Sequence, residues 1–160
     1  MAPLMPSLRV VLTFCKTISE SALEPHTNIV YSLANGFSYW QAQPIANATA
    51  TYLDDMAQAL GHIQSVSGSV DAIEFWTGET GWPTDGGSNY GAATASTANA
   101  NTFFHQGVCA ALAWGTNVFY FEAFDEPWKP ASVGQDGTPA IETTWGAMTA
   151  NRGTKFSLKC

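Results

Sequence analysis

Glu74-Phe75-Trp76-Thr77-Gly78-Glu79-Thr80-Gly81-Trp82-Pro83 is the stretch that decides how the rest of the chain is read. It begins in an apolar run, Ile73 to Trp76, that reads as a buried strand. It ends in Gly, an acid, Gly, Trp and Pro, which terminate a strand. A buried strand that delivers one carboxylate into a mouth walled by aromatic residues suits sugar chemistry. The carboxylate can attack or stabilise an anomeric carbon, and indole faces can stack on a pyranose ring.

Working outward, Thr49 to Ser65 carries Tyr52, Leu53, Met56, Leu60 and Ile63 at the spacing of one helical face. Asp54 and Asp55 then fall in its first turns, where acids complement the helix dipole. Ser96 to Trp114 is a second helix, with Phe103, Phe104, Val108, Ala111 and Leu112 on its apolar side and Gly115 closing it. Asn28 to Trp40 and Asn117 to Phe121 read as the flanking strands, and Gln41 to Asn47 as a loop. Ser132 to Pro139 is turn-rich, and Thr144 to Leu158 reads as a final short strand or hairpin. Strand, helix, strand, helix, strand implies an α/β fold with parallel strands and right-handed crossovers. Each strand carries its polar residues at its C-terminal end, where a (β/α) barrel builds its site. A doubly wound sheet gathers ligands there too, but no glycine-rich phosphate fingerprint is present.

The 160 residues suffice for one domain with a core. A formal charge of -7 with only 6 Lys plus Arg repels phosphate backbones, so nucleic acid is not an expected partner. No apolar run is long enough to span a membrane. Low charge with 12% aromatic residues suits a neutral polar ligand. The three cysteines, Cys15, Cys109 and Cys160, leave at least one unpaired within a monomer. The terminal Cys160 fits a staple to Cys109 in an oxidising compartment; three reduced thiols in a cytosolic chain are the other reading. Asn47-Ala48-Thr49 is a glycosylation sequon. Arg9 with Val10 to Phe14 makes a poor secretory signal, too short and without a clean cleavage site.

Glu79 meets a second acid-rich rim one strand on: Glu122 and Glu126, with Trp128 and Lys129. Adjacent strands lie roughly 4.8 Å apart, so such carboxylates can approach one another. Retaining glycosidases hold two carboxyl groups about 5–5.5 Å apart. A lone rim Glu more often caps loop backbone; flanked by Trp76 and Trp82 and facing a second acidic rim, Glu79 reads as functional. Trp82, Tyr39, Trp40 and Trp128 are candidates for sugar stacking, and Trp76 and Trp114 for the core. There is no Gly-x-Ser-x-Gly elbow. His26, His62 and His105 are scattered and no cluster has zinc spacing, so no metal and no organic cofactor is expected.

At these residues the sequence resembles fungal glycoside hydrolase family 17, the cell-wall β-1,3-glucanases and glucanosyltransferases. The motifs are Phe75 to Thr84, Asn117 to Lys129, the weaker Ala34 to Gln41, and Trp145-Gly146. The resemblance runs from about Asn28 to Cys160, leaving residues 1–26 unassigned and 27–160 as one barrel segment. It implies a (β/α)₈ barrel, retention of anomeric configuration, β-1,3-glucan as substrate and a secreted or cell-wall setting. Glu79 matches the nucleophile that ends strand seven. Glu126 and Lys129 match site residues on strand eight, with Glu122 beside them. Asn35 and Tyr39 fall in the strand-six motif, where Phe37 stands in place of a Tyr of some relatives. The family's general acid/base is a Glu in an Asn-Glu pair on strand four, and this chain has no such pair. The expectation is therefore the C-terminal part of a barrel, about strands six to eight, with open sheet edges that invite self-association. Either it turns over glucan, or it binds glucan without turnover.

Overall fold

The computed structural model describes residues 31–69, 73–85, 89–130, 132–133, 139–140 and 142–160. The expectations for residues 1–26 and for Cys15 lie outside these. Among the described residues, three strands form one parallel sheet in the order β1-β2-β3: β1 Tyr31–Asn35, β2 Glu74–Thr80 and β3 Asn117–Tyr120. Each pair is joined through helices, as the alternation of the sequence predicts. β2 is the central strand, with β1 and β3 on either side.

Helix α1, Ile45–Ser67, starts four residues earlier than the periodicity predicts, with Pro44 as its N-cap. Proline costs a helix nothing at its start, because the first N–H groups lack intrahelical partners anyway. Gly68 closes it in the left-handed conformation, φ 73°, with its N–H bonded to Gln64 O. The buried stripe is Ala48, Tyr52, Asp55, Met56, Ala59 and Ile63. With the earlier start, Asp54 and Asp55 fall past the first turns and are not helix-start acids. Asp55 is buried and accepts a hydrogen bond from Gln41, while exposed Asp54 accepts one from Gln58. Burial raises the Asp55 pKa, and the Gln41 bond partly offsets this.

Between β2 and β3 the helical run is broken into three pieces. Ser96 caps α2, Thr97–Phe103, by accepting from Asn99 N. A π-helical turn follows over Phe104–Val108, then α3 over Cys109–Ala113. Gly107 sits in the π turn, where an added Cβ would lie 3.4 Å from the Phe103 ring and 3.5 Å from Tyr52. Two hydroxyls lock α1 onto β2: Tyr52 and Thr77 share a 2.8 Å hydrogen bond beside Met56 Sδ. The core gathers Tyr52, Met56, Phe103, Phe104, Val108 and Ala111 on that helical side of the sheet. Trp114, expected in the core, is 56% exposed, because it caps α3 beyond the buried stripe.

After β3 the chain forms a small antiparallel hairpin, β4 Ser132–Val133 with β5 Pro139–Ala140, inside the region that reads as loop. Residues 144–158, read as a final short strand or hairpin, form no regular strand but fold back in a short hairpin-like turn, with Lys155 N bonded to Ala147 O and Thr149 N to Gly153 O. They cross the sheet's C-terminal edge through isolated bridges, Phe124 with Met148 and Met148 with Thr154. Cys109 and Cys160 form a disulfide, which fastens the end of the chain to α3. No helix among the described residues is long and apolar enough to cross a membrane.

Candidate active site

The rim is built where β2 gains an extra residue. Ala34 pairs with Thr77, yet Asn35 pairs with Glu79, so Gly78 bulges out of the ladder. The register slips on the other side as well, between Thr77 and Thr80. Bulges re-aim the side chain that follows. A Cβ at Gly78 would lie 2.6 Å from Asn35 Oδ1 and 3.0 Å from Leu33 Cβ, so a larger residue would push the Asn35 amide from its place. The slip sets Asn35 beside Glu79, and Asn35 Nδ2 donates to Glu79 Oε2 at 3.2 Å. Glu79 is exposed, so its carboxylate is oriented by a neutral amide and still open to a substrate.

Gly81 brings the two rim loops into contact. A Cβ at Gly81 would meet Phe121 O at 1.9 Å, and Phe121 N donates to Thr80 O at 2.7 Å. The Phe121–Glu122 peptide, where the second loop begins, is cis. Lys129 then folds back over this loop. Its ammonium lies 2.6 Å from Glu122 Oε2, 2.8 Å from Glu126 Oε2 and 4.6 Å from the centroid of the Phe121 ring.

The three charges are not equivalent. Burial raises the Glu122 pKa, against the lowering effect of Lys129. Glu122 Oε1 is buried with no hydrogen-bond partner among the described residues, which adds to the cost of its charge. Half-buried Glu126 is held below the usual carboxylate range, first by its hydrogen bond to Lys129. Burial alone would lower the Lys129 pKa, but its two carboxylate partners outweigh that and raise it. The cluster therefore presents two carboxyls whose pKa values are pushed apart, Glu122 up and Glu126 down, with a cation between them.

The aromatic expectations divide. Trp82 is 0% exposed, its Nε1 donates to Thr94 O, and its ring packs edge-on to Tyr39 and against Phe103. It has no face free for a sugar, so the stacking role expected for it gives way to a core role. Tyr39 is buried in the same cluster, with edge contacts to Trp40, Trp82 and Trp145. Trp40 is half-buried and stacked on Trp145. Trp128, at 71% exposure, stands out from the rim with its ring free. Trp76 is half-buried beside Tyr31 and Phe119 rather than enclosed. Exposed Asn47 lies in the first turn of α1.

Lys155 lies outside every motif, and the contacts of Trp145, Thr84 and Asp125, which lie within them, show only in the structure. Trp145 touches Phe37, Tyr39, Trp40 and Phe121, and so links the ends of β1 and β3. Thr84, Asp125 and Lys155 form a separate charged contact between the same loops. No group of His, Cys, Asp or Glu among the described residues could hold a metal ion.

The family model of glycosyl hydrolases family 17 matches residues 3–160, and so reaches into the first 26 residues. A glucan 1,3-beta-glucosidase of Arthroderma benhamiae is 50% identical over 132 residues, covering 82% of this chain and 43% of the relative. One of Saccharomyces cerevisiae is 49% identical over 130 residues, covering 81% of this chain and 40% of the relative. The chain thus spans less than half the length of these relatives. In fold it is similar to a family 17 β-1,3-glucanosyltransferase from Rhizomucor miehei, with TM-score 0.66 at 20% identity over 98% of this chain and 59% of that one. An active-site mutant of the Rhizomucor enzyme, in complex with laminaritriose, aligns with TM-score 0.65 at 21% identity over 96% of this chain and 58% of that one. The three-stranded parallel sheet is compatible with part of the TIM barrel of this family. The family match, over nearly the whole sequence, and the fungal relatives at about half identity lead to one conclusion: this chain belongs to glycosyl hydrolases family 17.

Proposed function

We propose that this chain forms the nucleophile-bearing side, about strands six to eight, of a (β/α)₈ enzyme that hydrolyses or transfers β-1,3-glucan with retention. The observation that carries this reading is Glu79: an exposed carboxylate at the C-terminal end of a parallel strand, aimed by a bulge and oriented by Asn35. Glu79 attacks the anomeric carbon as the bond to the leaving sugar oxygen breaks, and that oxygen takes a proton from a general acid. The resulting glycosyl ester on Glu79 is opened by water in hydrolysis, or by a sugar hydroxyl in transfer, whose proton returns to the same acid/base. The family's acid/base belongs to an Asn-Glu pair that this sequence lacks, so that role is assigned to no residue here. Loss of general acid/base catalysis is typically worth about 10²–10⁴-fold. Lys129, Glu122 and Glu126 shape the field in which the oxocarbenium-like charge develops. The disulfide between Cys109 and Cys160 supports an oxidising, extracytoplasmic setting, and with it a secreted, cell-wall protein.

The covalent step is testable directly. A β-1,3-linked 2-deoxy-2-fluoroglucosyl donor with a good leaving group should leave one glycosyl unit on the protein, and peptide mass spectrometry should find it on Glu79. A label on any other carboxylate sinks the assignment.

The absent Asn-Glu pair favours a second reading, glucan binding without turnover. Laminari-oligosaccharide binding with neither trapped ester nor released sugar selects it. Both readings use the free indole of Trp128. Trp128→Ala should weaken oligosaccharide binding about tenfold, the equivalent of roughly 1.4 kcal/mol of stacking. The melting temperature should stay within about 1 °C, as for other exposed positions. Isothermal titration with a parallel melt checks both; unchanged affinity removes Trp128 from the binding surface.

A further inference from the structure

Lys155 belongs to none of the family motifs, yet its ammonium joins the two loops on which the site depends. It donates to Thr84 Oγ1 and to Asp125 Oδ1, each at 2.5 Å. Thr84 lies on the loop that leaves β2 after Glu79, and Asp125 lies between Glu122 and Glu126 on the loop that leaves β3. The ion pair is mostly shielded, with the Lys155 side chain 11% and the Asp125 side chain 17% exposed. A fully solvated pair would contribute little. A shielded one matters more, because removing either partner leaves a poorly hydrated charge.

The surroundings fit this role atom by atom. The Thr84 hydroxyl donates to Thr144 O, which leaves its oxygen to accept from Lys155. Asp125 Oδ1 also accepts the Gly146 N–H at 3.1 Å. Residues 143–148 run between the two loops and bond to both: Thr84 N to Thr144 O, Glu126 N to Thr143 O, and Ala147 N to Glu122 O. Glycine is required at Gly146, where a Cβ would lie 2.2 Å from Asp125 N. Lys155 is itself fixed from both sides. Its N–H bonds Ala147 O, the neighbouring Phe156 is buried against Phe104 and Tyr120, and Cys160 is tied to Cys109.

We propose that Lys155 is a positioning residue for the rim: its ammonium clamps the loop after β2 to the loop after β3, and so sets how Glu79 stands relative to the Glu122–Lys129–Glu126 cluster. The catalytic meaning of this clamp rests on the function proposed above; the clamp itself does not, and its test needs no turnover.

The test compares the full chain with Lys155→Met, which keeps the aliphatic stem, and Lys155→Arg, which keeps the charge. Amide hydrogen exchange should quicken roughly tenfold or more at Thr84, Asp125 and Glu126 in Lys155→Met, with the β1–β2 ladder unchanged, as in a local opening. In carbon-detected carboxyl titrations, Glu126 should move up towards the ordinary glutamate range as its contact with Lys129 loosens. Lys155→Arg should restore both signals towards wild type. Equal acceleration at all amides, or an unmoved Glu126 in folded Lys155→Met, overturns the proposal. If Lys155→Met does not fold, Asp125→Asn removes the charge while keeping the acceptor for Gly146, and the same readouts decide. Where glucan is turned over, kcat should fall by up to about 10²-fold with KM within about twofold, as for a small misplacement of reacting groups. Absence of turnover in the wild-type chain counts against the proposed function alone, since exchange and titration still judge the clamp.

Discussion

Glu79→Gln is expected to reduce the release of reducing sugar from laminarin by on the order of 10²–10⁴-fold, less than from a complete catalytic unit, because no residue here takes the acid/base role and such losses are not additive. The substitution is nearly isosteric. Its amide oxygen can still accept the hydrogen bond that Asn35 Nδ2 gives to Glu79, so the rim geometry is retained. What disappears is the anionic oxygen that forms the glycosyl ester. Because Glu79 is exposed and its orienting partner is neutral, folding gains little from its charge, and the melting temperature should hardly move. The neighbouring acids are poorer nucleophiles on physical grounds. Glu122 and Glu126 are both engaged by Lys129, and Glu122 is partly shielded as well. Glu74 stands at the opposite end of β2 from the rim. A Glu79→Gln protein that turns over laminarin at the wild-type rate would end the nucleophile assignment. The loss of rate with an intact melt separates lost chemistry from lost structure.

Much of this site is legible in the sequence because its chemistry is local. Phe75 to Thr84 announces a strand, a carboxylate and a stop within one short run, and the strand forms with Glu79 at its rim. The helix–strand alternation likewise gives the parallel sheet, since right-handed crossover is nearly obligatory. Other features depend on partners distant in the chain. Gly78 is visible as a glycine, but that it bulges is a property of register against both β1 and β3. Asp55 reads as a helix-start acid until the helix is seen to begin at Ile45 and the turn after β1 to bring Gln41 against it. Lys155 shows no motif at all; it acquires meaning only because Thr84 and Asp125 converge on it from 71 and 30 residues away. Trp114 misleads for the opposite reason. Its apolar type suggests burial, whereas its place at the end of α3 leaves it in solvent.

The same distinction gives the largest expected effect on stability, Trp82→Ala. Next to Glu79, an indole reads naturally as a sugar platform, yet Trp82 is fully buried among Tyr39 and Phe103 with its N–H spent on Thr94 O. Emptying such a site removes a large apolar surface, leaves a cavity and strands a carbonyl, for a cost of about 3–5 kcal/mol. In a domain of this size that lowers the melting temperature by roughly 10–15 °C. Trp82→Phe refills most of the volume and loses chiefly the hydrogen bond, so it should cost about 1–2 kcal/mol. The decisive comparison is with oligosaccharide affinity measured well below the melt. If Trp82 is core, Trp82→Phe binds within about twofold of wild type although it melts earlier, while Trp128→Ala binds about tenfold more weakly and melts unchanged. If Trp82 is a platform, its affinity falls and its melt holds. A stable Trp82→Ala protein with weakened glucan binding would therefore overturn the packing seen here, and with it the view that this tryptophan serves Glu79 by holding the strand end in place.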